Sequence, residues 1–402
     1  MSNTVLATTR SHGLLCLALL VLLGFSLGCS EFSVIGIEVE LAHDFGVSLS
    51  EVGQLISLFA LAYAVMTPIL TLATGRFKRY TLLVAYSVMF VLANLMAVLA
   101  TSFGFLLLSR VILGCVSGTL IAVGITYIPE LVSMKKVSLA ISIVYAAFSM
   151  AMVVSTSLGK FMASTIGWHY VMIASLVLSL LVCPALLLVM PRSGATDVTA
   201  TAKEQARLFL EPSIIFGMLI FTFGVGSLYV FYGYVTPYLQ QVLGMDDMHA
   251  SATLMAYGAV CLVSNLLGGL VDTRFGMKAL PILFPFIAAM LLGLMLAGNQ
   301  LMFALGFIFG LALLMYSFSV ACISLFMRVA RTKHPKALTL ASSLEPFSFN
   351  MGMSFGAVIG GLVVAGPGLP YVGGVGAILA MLAGAMSLIT IYFGKKTLPE
   401  QD

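Results

Sequence analysis

The sequence predicts an all-α membrane protein of twelve transmembrane helices, arranged as two pseudo-symmetric six-helix bundles. Of the 402 residues, 61% are hydrophobic and only 8% are charged, whereas a soluble domain carries about a quarter charged residues. A water-soluble globule could not bury so much apolar surface, so lipid must surround most of the chain. The apolar residues fall in blocks long enough to cross a bilayer as helices, near 14–38, 51–74, 80–100, 103–128, 138–164, 168–190, 213–239, 250–271, 279–298, 301–326, 338–363 and 371–393.

Other architectures fit the sequence poorly. A transmembrane barrel is excluded because its strands would alternate polar and apolar residues over about ten positions. The six cysteines lie inside apolar blocks and none forms a C-x-x-C pair, so neither a disulfide framework nor a metal site is expected. Arg10 and the apolar residues 14–23 imitate a signal peptide, but we interpret them as the first span because eleven more follow.

The basic residues predict the orientation in the membrane. With the N-terminus in the cytoplasm, every lysine and arginine except Arg110 and Lys160 falls at a cytoplasmic loop or helix end. The opposite orientation would violate the positive-inside rule. We therefore expect a multi-pass protein of the cell (inner) membrane with both termini cytoplasmic, and we attribute the basic surface to topology rather than to nucleic-acid binding.

A polar stretch divides the chain into two halves. We expect an N-terminal bundle at 1–190, a cytoplasmic linker at 191–212 and a C-terminal bundle at 213–402. The Arg76-Phe77 pair after helix 2 recurs as Arg274-Phe275 after helix 8, at the same point of the six-helix plan. This recurrence indicates internal duplication, the pattern of many transporters.

Several motifs resemble those of the major facilitator superfamily, in particular its twelve-helix drug and sugar efflux branch. The segment from Ser109 to Gly114, with Gly118, is similar to the helix 4 motif whose arginine, here Arg110, is linked to proton coupling in related exporters. The segment from Gly268 to Gly276 is similar to the family's cytoplasmic gating loop. In helix 11, Asn350 and the glycines that follow match members that resemble arabinose-efflux and purine-efflux permeases.

The resemblance implies two cytoplasmic gating loops, containing Arg76 and Arg79 in the first and Asp272 and Arg274 in the second. The usual aspartate of the first loop is absent. Helix 5 also departs from the family pattern. Its Gly-Pro antiporter signature is replaced by the run from Val154 to Lys160, in which only Gly159 survives.

Ionisable residues at membrane depth are the sharpest signal that the residues themselves give. A charge at the centre of a spanning helix costs about 2.5–3.5 kcal/mol even on a lenient scale, so it needs a partner, a wet cavity or a function. Glu31 and Glu38 are expected on one face of helix 1, and Arg110 of helix 4 at a depth that allows pairing with Glu31. We predict that Glu31 and Arg110 take part in proton coupling; the alternative for them is a static ion pair.

Other polar residues are candidates for substrate binding. Glu345 in helix 11 has no obvious basic partner, and it is expected either to bind a cation or proton or to form a hydrogen bond with a neighbouring serine. Tyr229 and Tyr232 share a face of helix 7, where tyrosines suit an amphipathic cavity. With Glu31 and Asn350 they complete the predicted substrate site. Lys160, near the outer end of helix 5, is expected to extend towards the interface.

These observations predict a secondary active transporter that exports a small amphipathic molecule, a drug or metabolite, by alternating access as a proton antiporter. We expect no cofactor beyond the proton gradient, a small-molecule substrate, the bilayer as the other partner, and a monomer. The degraded helix 5 signature leaves open a uniporter or a proton symporter that imports a metabolite. A non-transporting receptor or enzyme is disfavoured because no nucleotide-binding or catalytic motif is found.

Overall fold

The computed structural model describes residues 2–74, 77–133, 136–192, 207–334 and 338–397, and this part of the chain is helical without strands. Because backbone groups in lipid must be satisfied within the segment, helices are the expected solution. The spanning helices are α1 Ser2–Phe32, α2 Leu49–Thr74, α3 Arg79–Val98, α4 Phe103–Ile125, α5 Val137–Thr165, α6 Trp168–Val189, α7 Pro212–Tyr232, α8 Asp247–Phe275, α9 Leu280–Ala297, α10 as Leu301–Leu314 and Ser319–Lys333, α11 Leu338–Ala365, and α12 Val372–Thr397.

The number of membrane spans agrees with the prediction. Eleven described helical runs are long and apolar enough to cross a membrane, and one of them, Asp247–Ala297, contains both α8 and α9. Large apolar side chains also cover the outside of the bundle, among them Leu188 at 78% and Ile282 at 77% exposure. Apolar surface on this scale needs lipid around it. The predicted all-α membrane fold is confirmed.

The helices pair in the same way in the two halves. In the first half α1 packs on α5 and α3 on α6; in the second half α7 packs on α11 and α9 on α12. Between the halves, α2 packs on α11 and α5 on α8. Each of these pairs has its counterpart six helices along the chain, as an internal repeat requires.

Helix α1 ends earlier than the sequence predicted. After Phe32 the chain turns through residues 33–37, and a short helix, Glu38–Phe45, begins at Glu38. Gly36 has φ of +120°, which favours glycine, and its N–H donates to the Glu38 carboxylate at 2.8 Å. The expectation that Glu31 and Glu38 share one helical face is therefore wrong, because a turn separates them.

Helix α10 is interrupted, whereas the sequence predicted one continuous span. Residues 315–318 form a turn between its two segments. The turn is held by Ser264 of α8, whose Oγ accepts a hydrogen bond from the Tyr316 N–H at 2.9 Å. A side chain from a neighbouring helix thus replaces a lost helical partner and places Tyr316 in the middle of the bundle.

Candidate functional site

The guanidinium of Arg110 lies at the end of α1. Its Nη2 donates to the carbonyl of Glu31 at 2.6 Å, its Nη1 donates to the carbonyl of Ser30, and its Nε donates to Leu55 of α2 at 3.4 Å. The last carbonyls of a helix have no partner within the helix, and a positive charge there is favourable. Arg110 therefore caps α1 and joins α1, α2 and α4 at one point.

Glu31 is buried at 3% exposure beside this guanidinium, yet its carboxylate is not the group that Arg110 binds. Neither carboxylate oxygen has a hydrogen-bond partner among the described residues. The predicted direct pairing of the two side chains is thus not made, because the early end of α1 offers carbonyls to the guanidinium instead. The site brings Glu31 and Arg110 together and leaves the acid unsatisfied.

Aromatic side chains from four helices surround this acid on the side of the second half. The fully buried ring of Tyr229 meets Tyr232 edge-on at a centroid distance of 5.4 Å and Phe349 of α11 at 5.9 Å. Tyr232 stacks on Tyr257 of α8 at 5.2 Å, and Phe349 stacks on Tyr316 at 6.2 Å. The Tyr229 hydroxyl has no hydrogen-bond partner within the described part of the chain. The structure places both predicted tyrosines in this cluster.

Glu345 lies in the same buried region, one helical turn before Phe349 on α11. Its carboxylate interacts electrostatically with Tyr63 of α2, Tyr145 of α5 and Tyr316. Glu31 interacts with Tyr63 and Tyr316 as well, so the two acids border one space between the halves. Unlike Glu31, Glu345 is partly exposed. The serine side chains next to it in sequence lie outside the described residues.

Asn350 is also buried in this region. Its Nδ2 donates to the carbonyl of Pro346 at 3.0 Å, a hydrogen bond inside α11. Its Oδ1 accepts no hydrogen bond from any residue that the structure describes. We use the name central chamber for the buried region in which these side chains come together, and its members are Glu31, Tyr63, Tyr145, Tyr229, Tyr232, Tyr257, Tyr316, Glu345, Phe349 and Asn350.

The predicted gating residues lie apart from the chamber, at the end of the bundle that carries the termini. Arg79 is buried, donates to the carbonyl of Thr126 at 2.9 Å and forms an ion pair with Glu130. Asp272 accepts a hydrogen bond from Ser324 of α10 at 2.7 Å. The exposed Arg274 lies over the Phe275 ring at 5.7 Å. Arg76 lies outside the described residues. The sequence had not singled out Glu130.

An ion cluster closes the opposite end of the bundle. The side chain of Lys160 is fully buried; it pairs with Glu40 and with Asp247 Oδ1 at 2.8 Å. The prediction that Lys160 extends towards the interface is wrong, because two carboxylates hold its ammonium inside. Asp247 belongs to α8 and Lys160 to α5, so the cluster joins the halves. Ser251 of α8 adds a hydrogen bond to the carbonyl of Ser157 at 2.8 Å.

The chain is similar to known proteins along most of its length. The family model for the Major Facilitator Superfamily matches residues 15–334. The chain is 28% identical over 382 residues to the inner membrane transport protein YdhP of Escherichia coli (strain K12), covering 94% of this chain and 95% of YdhP. It is 25% identical over 372 residues to the putative transporter AraJ of Escherichia coli (strain K12), covering 92% of each.

Among solved structures, the fold is similar to that of a bacterial homolog to human lysosomal transporter, Spinster, in an inward-facing and unoccupied conformation. The TM-score is 0.78 at 19% identity, covering 98% of this chain and 99% of that chain. At this identity the likeness concerns the fold alone.

Proposed function

We propose that this chain, which belongs to the Major Facilitator Superfamily, exports a small amphipathic molecule by alternating access in exchange for protons. The family resemblance seen in the sequence is confirmed by the match over residues 15–334, and the chain is a multi-pass membrane transporter rather than an enzyme. The observation that carries the finer proposal is the buried, unpartnered carboxylate of Glu31 beside Arg110 in the central chamber.

An ionised carboxylate without partners is costly away from water. Either a proton or a ligand must therefore satisfy Glu31 before the chamber can close. Arg110 keeps its charge and holds the end of α1, so it fixes where the carboxylate lies. Exchange follows if proton and cargo compete for this one acid: the cargo leaves when a proton arrives, and the proton leaves when new cargo binds.

The two halves supply the movement. The halves meet where α2 packs on α11 and where α5 packs on α8, and residues of both halves form the central chamber. Rocking of one half against the other around a fixed central site is the general mechanism for repeats of this kind. We propose that a monomer works this way in the inner membrane with both termini cytoplasmic, driven by the proton gradient and without a cofactor.

Everted membrane vesicles test the proposal. Respiration acidifies their lumen, and acridine orange reports the gradient. Candidate solutes (dyes, antibiotics, nucleosides and sugars) are added one at a time to vesicles containing the protein. At least one solute should dissipate the gradient with the wild type. The same solute should dissipate it at most one-tenth as fast with Glu31→Gln.

The matched control is Glu51→Gln, which removes an acid exposed at the start of α2 and should act like the wild type. Equal gradient dissipation by Glu31→Gln and the wild type would refute the role of Glu31.

A uniporter or a proton symporter for import is the second candidate. It is favoured by α5, where hydroxyl side chains stand in place of the family's Gly-Pro signature. Ser155 donates to the carbonyl of Cys29 on α1 at 3.0 Å, and Ser157 donates to Val153 within α5. Solute transport in proteoliposomes with an imposed pH gradient separates the candidates, because an exchanger moves the solute against the proton flow, a symporter moves it with the proton flow, and a uniporter does not respond to the gradient.

A further inference from the structure

Among the residues that the structure describes, the central chamber presents hydrogen-bond acceptors to a ligand and no basic side chain without a partner. Its unpartnered buried atoms are both carboxylate oxygens of Glu31, Oδ1 of Asn350 and the hydroxyl of Tyr229. The neighbouring positive group, Arg110, already donates to three carbonyls. A buried acceptor without a donor is costly, and the ligand that removes this cost must supply donors or positive charge.

The carboxylates outnumber the cations around this space. Glu345 lies one helical turn before Phe349, whose ring contacts Tyr229 and Tyr316, and Glu31 lies near the same two tyrosines. Arg110 offsets one negative charge. In the part of the chain that the structure describes, no basic side chain forms an ion pair with Glu345. A ligand with one positive charge would restore neutrality, whereas an anion would add to the repulsion.

The walls suit the body of such a ligand. Tyr316 and Phe349 lie with nearly parallel rings, 9° apart, and Tyr232 stacks on Tyr257 at 16°. Aromatic faces attract organic cations and also bury apolar surface. Phe349 follows Glu345 by one helical turn, so an aromatic surface and a carboxylate lie on the same side of α11.

We infer that the cargo is an organic cation: a positively charged nitrogen carried on an aromatic or aliphatic body. The nitrogen lies between Glu31 and Glu345 and the body lies against the rings of the second half, so that a proton arriving at Glu31 competes with the bound cation. This inference rests on the proposed function and deepens it by naming the substrate class.

Two xanthene dyes of similar size and opposite charge provide the probes, rhodamine 6G as the cation and fluorescein as the anion. Binding to the purified protein in detergent is followed by fluorescence anisotropy. Rhodamine 6G should bind at least tenfold more tightly than fluorescein. Glu345→Gln should weaken the binding of rhodamine 6G at least tenfold. Glu345→Asp, which keeps the charge, should recover most of the affinity.

Control variants keep the result interpretable. Glu51→Gln should bind rhodamine 6G like the wild type, and every variant must elute as the same species in size exclusion. Fluorescein binding as tightly as rhodamine 6G, or rhodamine 6G binding unchanged in Glu345→Gln, would overturn the inference. Because binding needs no transport, charge-selective binding without vesicle transport would leave this inference standing while the proposed function fails. Transport of anions alone, coupled to the proton gradient, would support the proposed function and overturn this inference.

Discussion

At the scale of single residues, the one tryptophan of the chain reports on a specific contact. Trp168 opens α6, and its indole N–H donates to Asp44 Oδ2 at 2.7 Å. Asp44 also lies 3.3 Å from Nδ1 of His43, and the ring of His169 stacks on the indole. The hydrogen bond from Trp168, with His43 as a further contribution, lowers the pKa of Asp44 below its ordinary value against the opposing effect of burial. The contact therefore favours the ionised acid.

The sign of the pH effect follows from that direction. A carboxyl whose pKa is lowered by folding stabilises the fold above its ordinary pKa, about 3.9 for aspartate. This stabilisation is lost as the pH falls through the lowered folded-state value. We expect the fluorescence of Trp168 to change in an acid transition below about pH 4, measured by titration in detergent. The transition should be absent in Asp44→Asn. It should persist in His169→Phe, which removes the other titratable ring in contact with the indole. An unchanged titration in Asp44→Asn would contradict the assignment.

The sequence predicted which residues are important better than it predicted which atoms are in contact. Glu31, Arg110 and Glu345 stood out because charges are rare in apolar helices, and the structure brings all three to the middle of the bundle. The carbonyls that bind Arg110 could not be foreseen, because they depend on where α1 ends. The role of Lys160 was missed for a related reason. Its partner Asp247 comes from the other half of the chain, and sequence spacing gives no sign of that contact.

At the scale of helices, glycines set how closely neighbours approach. A Cβ on Gly114 of α4 would lie 2.2 Å from the carbonyl oxygen of Phe59 on α2, a backbone atom that cannot yield without moving the helix. A Cβ on Gly356 of α11 would likewise lie 2.5 Å from the carbonyl oxygen of Gly226 on α7. These close approaches indicate that the glycines of α4 and α11 permit close helix packing and are not ligand sites.

We predict that Gly114→Ala lowers the free energy of unfolding by about 1–3 kcal/mol, the usual cost of overpacking a tight contact. Gly104→Ala on the same helix is the matched control, since a Cβ there meets nothing within 4 Å. It should be neutral or stabilising by less than about 1 kcal/mol, because alanine favours helix more than glycine does. Thermal unfolding of the purified variants measures both effects. Equal stability of the two variants would show that α2 and α4 are not in the close contact described.

The existence of the helices was predictable from their length and apolarity, but their interruptions were not. The turn after Phe32 and the turn at 315–318 both lie inside apolar runs, so hydropathy continues through them. At each turn a side chain accepts the hydrogen bond that the helix no longer accepts. Glu38 accepts from the Gly36 N–H, and Ser264 accepts from the Tyr316 N–H. Ser264 acts from another helix, which hydropathy does not register.

At the scale of the whole molecule, the cluster of Lys160, Glu40 and Asp247 links the two halves at one end of the bundle. It lies at the end opposite the termini, where α5 of one half meets α8 of the other. Lys160 is fully buried, and loss of Asp247 leaves it with one carboxylate partner, Glu40, instead of two. Because the contact with Asp247 joins the two halves, we expect it to hold this end closed. Weakening that contact should therefore favour the state in which this end opens.

Spin labels measure this equilibrium directly. Cysteines at the exposed loop positions Thr101 and Asn299, one on each half at that end, are labelled in a background without the six native cysteines. Pulsed electron paramagnetic resonance measures the distance between the two labels. In Asp247→Asn and in Lys160→Met, the ratio of molecules with the longer distance to molecules with the shorter one should rise at least tenfold. A tenfold shift corresponds to about 1.4 kcal/mol. Lys278→Met removes an exposed lysine at the end that carries the termini, and it should keep the wild-type distances. If Asp247→Asn and Lys160→Met both gave wild-type distances, the cluster would be a contact within a rigid surface and not the gate at that end.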